Sequence, residues 1–357
     1  MATQTLPVEA VEVADDAIRA DWDAVRDSGI GGMIQNHFLC MALFGVQESG
    51  LGARLRAADR VSVDDLLQGM DAHFGAGLLH YLEIRGILVR ENGTVSLTPR
   101  GRLLLGDVQQ ALLGYYHEAY APVIRQIAPL LTKQIEYGTD ISRDMEALGR
   151  HCDVMTASFG TNIVLKAMEE MGASCILDLG CGSGGFLIDA CKRDPELRGI
   201  GLDISPEIIE RGRQRVREEG LEDRIEFVVA DAFHPDVWPE VCERADVILA
   251  IGTIHEHFRN GEQAVIDLLD RYAEILSGRM KGFLLAEPEL YRDEKDADFY
   301  LVHTFTRQGY PRPRDGWLEL LKRTRLRCER LYYARETGFR FCYYHLVPRD
   351  AAPAEGV

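Results

Sequence analysis

Residues 175–185, CILDLGCGSGG, constrain the fold more than any other stretch of the chain. A short apolar run ends in an acid and then breaks into glycines, the pattern of a buried strand turning through a ligand-binding loop into a helix. Gly180, Gly182 and Gly185 satisfy a G-x-G-x-x-G spacing, which suits a pyrophosphate on a helix N-terminus. Asp178, two residues before the first glycine, argues otherwise, because a carboxylate facing the ligand repels a pyrophosphate and attracts a cation. The plain alternative is a glycine-rich strand-to-helix turn without a ligand.

The next segments alternate between strand and helix patterns. Residues 186–192 read as a crossover helix, 197–202 as a strand ending in Asp203, 206–219 as a helix, and 225–229 as a strand followed by Asp231 and Ala232. Further strands are expected at 245–251 and 282–286 with a helix at 261–276 between them, and 326–334 with 339–347 read as a closing antiparallel pair. Such alternation implies an α/β fold with a mostly parallel, doubly wound sheet and ligands in the crevice beyond the carboxyl ends of its strands. Asp178, Asp203 and Asp231 fall at three successive ends of this kind, and an acid about 20 residues past a glycine loop suits ribose hydroxyls.

The motif D-L-G-C-G-S-G, with the ribose acid and a third acid following in order, resembles the first three strands of the class I S-adenosylmethionine (SAM)-dependent methyltransferases. The resemblance covers residues 150–350 and implies a Rossmann-like sheet with SAM as the bound cation. It places Asp178 near the methionine portion, Asp203 on the ribose, Asp231 and Ala232 at the adenine, and Gly180, Gly182, Gly184 and Gly252 against the cofactor.

The 357 residues suffice for two domains, and a formal charge of −17 disfavours nucleic acid or an anionic membrane as partner. Eight cysteines show no C-x-x-C spacing, and no N-terminal apolar run resembles a signal peptide or a membrane span, so a cytoplasmic location with reduced thiols is expected. Cys181 lies in the glycine loop, where a small side chain fills the space beside a backbone-approached ligand.

The organisation expected is a flexible arm at 1–14, a mostly helical domain at 15–150, the sheet domain at 151–350 and a tail at 351–357. Within the helical domain, residues 33–55 carry apolar side chains too densely for a surface helix, Ser62 can cap the next helix, and Glu91-Asn92-Gly93 reads as a tight turn between two short strands. Helix, helix, helix, hairpin is a winged-helix pattern. The candidate recognition helix, 71–85, offers only Arg85 against Asp71 and Glu83, too little positive charge for DNA. The segment resembles the dimerisation and lid module of small-molecule methyltransferases, which implies a homodimer. Helical patterns at 112–135 and 141–171 are expected to roof the pocket, with Tyr120 and Arg125 as candidate substrate contacts, Arg125 by bidentate capture of a carboxylate.

After the fourth strand, GTIHEHF places His255, Glu256 and His257 beside the expected sulfonium. One reading rests on resemblance to the plant-type O-methyltransferases, which implies O-methylation of a small molecule with His255 or His257 as general base. A second rests on resemblance to the metal-dependent 2-oxo acid C-methyltransferases of peptide natural-product pathways. It implies that His255 and His303 hold a divalent transition metal, iron or zinc, which stabilises an enolate while Glu256 removes a proton from C3 of a 2-oxo acid. A third is a catalytically silent SAM-binding regulator.

Overall fold

The computed structural model describes residues 9, 11, 15–276, 278, 280–334 and 340–351. The expected arm and tail lie almost wholly outside these, as does residue 339 of the closing pair. Residue contacts divide the chain into two compact units, Met1–Gln110 and Ala111–Val357.

In the first unit, helices Asp16–Asp27, Ile30–Glu48 and Leu51–Ala57 precede the short strand β1 (Val61–Ser62). The apolar run expected at 33–55 is two helices rather than one, because the chain turns at Gly50 with φ of 74°. Ser62 caps the turn Val63–Leu66 by accepting from the Asp65 amide at 3.1 Å, and Asp71 caps helix Ala72–Ile84 through the His73 and Phe74 amides. Strands β2 (Leu88–Glu91) and β3 (Thr94–Leu97) pair antiparallel across Asn92-Gly93, both with positive φ, as a type I′ hairpin turn requires. The sheet order is β1-β3-β2. Leu39, Leu43, Val46, Leu51, Leu55, Leu79 and Leu82 are buried.

The second unit carries a seven-stranded sheet of order β6-β5-β4-β7-β8-β10-β9. Its strands are β4 (Cys175–Leu179), β5 (Arg198–Asp203), β6 (Ile225–Val229), β7 (Val247–Ile251), β8 (Gly282–Pro288), β9 (Leu326–Tyr332) and β10 (Phe341–Pro348). The first five run parallel, and β10 lies antiparallel to both β8 and β9. The strand order reverses on either side of β4, so the crevice of a doubly wound sheet opens at its carboxyl end. One buried layer contains Leu177, Leu179, Tyr272, Phe283 and Trp317 and the other Ile176, Leu187, Phe227 and Leu249, as a sheet buried on both faces demands.

Residues 111–150, expected in the helical domain, belong to the sheet-bearing unit. Ala119, Tyr120 and Ala147 pack with Val302 in one buried cluster, which moves the division from 150 to 110. The helical pattern at 112–135 is also not uniform. Asp107–Gly114 is α-helical, Tyr115–Tyr120 forms a π-helix, and Ala121–Ile124 and Ile127–Leu131 are short helices. A π segment is rare and often marks a functional position, since it widens the turn and re-aims its side chains.

Candidate active site

The glycine loop follows β4 directly. Gly184 has a φ of 76° and lies against the ring of Phe227, so a side chain there would be strained and would collide with that ring. Asp203, at the end of β5, accepts from the Gly182 and Ser205 amides at 3.0 Å each and thereby ties the loop to the second strand. Asp231 accepts from the Phe233 amide at 2.8 Å and pairs with Nδ1 of His234 at 2.7 Å. Arg215, which the sequence did not single out, binds Asp153 at 2.9 Å and the carbonyl of Ser183, bracing the loop from the neighbouring helices.

A cavity of about 580 Å³ begins at this loop. Asp178, Gly180, Gly182 and Gly252 line it, with Asp153, whereas Gly184, Asp203, Asp231 and Ala232 do not. Asp178 is 3% exposed, and its pKa is pushed up to about 8 by burial and then by the charges of Asp153 and Asp203. A buried carboxylate beside two other acids is the setting in which a bound cation is most favoured. Burial holds the Cys181 thiol well above its ordinary pKa, so the loop cysteine is no thiolate nucleophile.

The far end of the cavity is built from four separate segments: Tyr120 on the π-helix, Arg143, His255 with Glu256, and His303 with Gln308 just past the end of its helix. His255 and Glu256 sit on a 3-10 helix, Ile254–Asn260, that follows β7. At three residues per turn, three consecutive side chains spread around the helix axis and cannot share one face. His255 and Glu256 reach the cavity. His257 instead packs on Phe233 at 4.6 Å between ring centroids and does not line the cavity, which removes it as the expected base.

The two histidines meet at their Nε2 atoms, 3.4 Å apart. Nδ1 of His255 donates to the buried carboxylate of Glu287 at 2.6 Å, and Nδ1 of His303 donates to the Phe299 carbonyl at 2.8 Å. Each ring is thus fixed from behind through Nδ1, and the two Nε2 atoms are directed at one another. Burial, and then His255, lower the pKa of His303 to about 3, so its ring is neutral. Two imidazole nitrogens on one tetrahedral ion at ~2.05 Å are about 3.3 Å apart, so the pair fits as two ligands. Among the described residues no group of three or more His, Cys, Asp or Glu is placed to hold a metal ion.

Glu256 is held by Arg143 at 2.7 Å and by the Gln308 amide at 2.9 Å. Burial would raise its pKa, but the Arg143 guanidinium outweighs that and brings it below the ordinary carboxyl value. Tyr120, 1% exposed, donates to Gln308 at 3.2 Å and accepts from Arg143 at 3.4 Å. Burial raises the pKa values of Tyr115, Tyr116 and Tyr120, which therefore stay protonated. Arg125, the expected carboxylate clamp, is exposed and does not line the cavity. The buried guanidinium is Arg143, at 9% exposed. Its segment, between two helices, has no periodicity that would have marked it in the sequence.

A doubly wound sheet with its cavity at the β4 crevice defines the architecture. Residues 176–276 match a protein family described as a methyltransferase domain. The 2-ketoarginine methyltransferase of Streptomyces arginensis is 27% identical, over 77% of this chain and 81% of its own length. The demethylmenaquinone methyltransferase of Porphyromonas gingivalis is 26% identical over 39% of this chain and 55% of its own. The fold is shared with the mitomycin 7-O-methyltransferase MmcR (TM-score 0.65, 16% identity, 92% of this chain and 99% of that one). It is shared also with human N-acetylserotonin methyltransferase in complex with SAM (TM-score 0.64, 18% identity, 95% and 99%). The chain carries a class I methyltransferase domain and is a SAM-dependent methyltransferase.

Proposed function

We propose that the enzyme transfers the SAM methyl group to C3 of a 2-oxo acid. The observation that carries this reading is the 3.4 Å approach of the Nε2 atoms of His255 and His303, with Glu256 lining the same cavity. The likeness to 2-ketoarginine methyltransferase supports it. In this reading His255 and His303 would hold a divalent transition metal, iron or zinc, with Glu287 and the Phe299 carbonyl fixing the two rings from behind. When bound, the metal supplies Lewis-acid polarisation of the 2-oxo group, which acidifies the hydrogens at C3.

Arg143 has five N–H donors. Three go to Glu256, Tyr120 and the Met145 sulfur, which leaves one N–H on each Nη to offer the acceptor's carboxylate. Glu256, oriented by Arg143 and Gln308, accepts the C3 proton. The electron pair left at C3 forms the new C–C bond as the S–CH₃ bond breaks and S-adenosylhomocysteine leaves. Asp178 draws the charged methionine portion of SAM, with Asp203 on the ribose and Asp231 at the adenine.

A second reading is favoured by the His255–Glu287 contact, because an imidazole oriented by a buried carboxylate is also the arrangement of a general base for O-methylation. Labelled SAM offered with a panel of 2-oxo acids and phenols, before and after chelation, separates the two. Transfer to C3 that is lost with the metal while SAM still binds is the expected result. Chelator-indifferent transfer to a phenol would return the site to a histidine base.

The first unit is proposed to pair with a second copy of the chain. Trp22, Met33 and Phe38 are 68%, 65% and 60% exposed, an apolar face that a monomer leaves in water. Light scattering at micromolar concentration should give the mass of a dimer.

A further inference from the structure

A second cleft in the sheet-bearing unit, of about 360 Å³, is lined by Arg259, Arg292, Arg307 and Arg312. No carboxylate is among the described residues that line it, in a chain of net charge −17. Arg307 pairs with Glu136 at 2.9 Å, and Arg312 pairs with Glu262 at 3.0 Å while covering the Phe258 ring. Arg259 reaches Glu256 only at 3.5 Å. Arg292 lies over the stacked rings of Tyr300 and Tyr310, 5.4 Å from each centroid, and has no carboxylate partner among the described residues. Arg292 and Arg307 also hold φ values of 60° and 49°, a backbone region that a side chain of this size rarely adopts.

One guanidinium fork satisfies one carboxylate. Arg259, Arg307 and Arg312 each already face one carboxylate, and the N–H donors they leave over, added to those of Arg292, exceed what a single further carboxylate accepts, whereas the planar fork matches phosphate oxygens in pairs. We propose that this cleft binds a small molecule bearing a phosphate-class oxyanion. The site is joined to the methyl-transfer cavity, since His303 and Gln308 line both. Gly309, next to Gln308, lies so close to the His255 carbonyl that no Cβ would fit, which locks loop 307–310 onto the turn carrying His255 and Glu256. An anion seated against Arg307 therefore bears on Gln308 and through it on Glu256.

Calorimetry of the full chain with sodium pyrophosphate tests the site without any methyl transfer, so its outcome is separate from that of the acceptor assignment. One saturable site per chain is expected. Arg292→Gln and Arg307→Gln should each weaken it by about tenfold, the loss of a charge-assisted contact, while SAM affinity, measured alongside as the check on folding, stays unchanged. Hydrogen exchange should slow at 303–310 and at 255–259 when pyrophosphate binds. Absence of saturable heat, undiminished affinity in both variants, or citrate binding as tightly as pyrophosphate would overturn the assignment. Protection confined to 303–310 would remove the link to the methyl-transfer cavity.

Discussion

The two ends of the cavity are built differently. The cofactor end comes from one contiguous stretch and the strand end beside it: the Gly180 and Cys181 amides donate to the Leu202 carbonyl at 2.7 and 3.0 Å, and the Gly182 amide donates to the Asp203 carboxylate. The acceptor end draws Tyr120, Arg143, Glu256, and His303 with Gln308 from four segments and joins those segments by side chains. A backbone-built site tolerates loss of single side chains, whereas a side-chain network fails when one member goes. Perturbations at the acceptor end should therefore be large and leave SAM binding alone, and those at the cofactor end should be smaller and fall on affinity.

The largest expected effect is His303→Ala. If His303 is a metal ligand, methyl transfer should fall by at least on the order of a thousandfold, beyond the roughly 10–100-fold typical of losing a ligand's outer partner. SAM affinity, measured by calorimetry, should remain within about threefold of the wild type because no cofactor contact is removed. A mild effect on turnover would instead favour a lone His255 base.

Glu256→Gln comes next. The amide keeps the shape that Arg143 and Gln308 grip but cannot take a proton, so a loss of roughly 10²-fold in kcat with bound metal and SAM affinity unchanged is expected. Steady-state kinetics and metal analysis of the same preparation read both halves. A matching loss in the metal content would make Glu256 a ligand rather than a base.

Asp203→Ala removes a carboxylate that accepts two backbone amides and is proposed to meet the ribose. Charge-assisted hydrogen bonds of about 1.5–3 kcal/mol correspond to SAM binding weaker by roughly 10–100-fold. Turnover at saturating SAM should be nearly intact, which is the reverse of the two changes above.

This contrast also explains what the sequence could reveal. The order of strands and the glycine loop were legible because β4, β5, β6 and β7 are apolar runs closed by acids and glycines, signals carried by adjacent residues. His255 and Glu256 were legible from their place after the fourth strand, whereas His303 was visible only through resemblance, since nothing in the spacing brings it to them; helix Ala297–Phe305 and the turn after β7 do so. Arg143 and Gln308 were missed because each lies in irregular chain and meets the rest of the site through partners more than 20 residues away, Tyr120 and Glu256. Arg125 was chosen on the assumption of a regular helix, and the π-helix at Tyr115–Tyr120 together with the short helices after it leaves that side chain on the surface.

The smallest effect belongs to Asp178, and it appears as a pH dependence. Its pKa in the folded protein, pushed up to about 8 by burial and by the nearby Asp153 and Asp203, lies above that of an unfolded aspartate near ~3.9. The folded state thus keeps a proton that the unfolded state has released, so this group's contribution to stability is present below the unfolded pKa and is lost as pH rises towards 8, levelling off above it. Binding of cationic SAM requires the ionised form, whose fraction rises from about 0.1 at pH 7 to about 0.9 at pH 9, so affinity should tighten by about tenfold over that interval. Asp178→Asn keeps the shape and removes the titration. Its SAM affinity should be flat across the same interval and weaker than wild type at pH 9, while the ligand-free protein should melt higher than wild type at pH 8. An unaltered pH slope in the variant would mean that the acid sensed by SAM lies elsewhere, with Asp153 the next group to test.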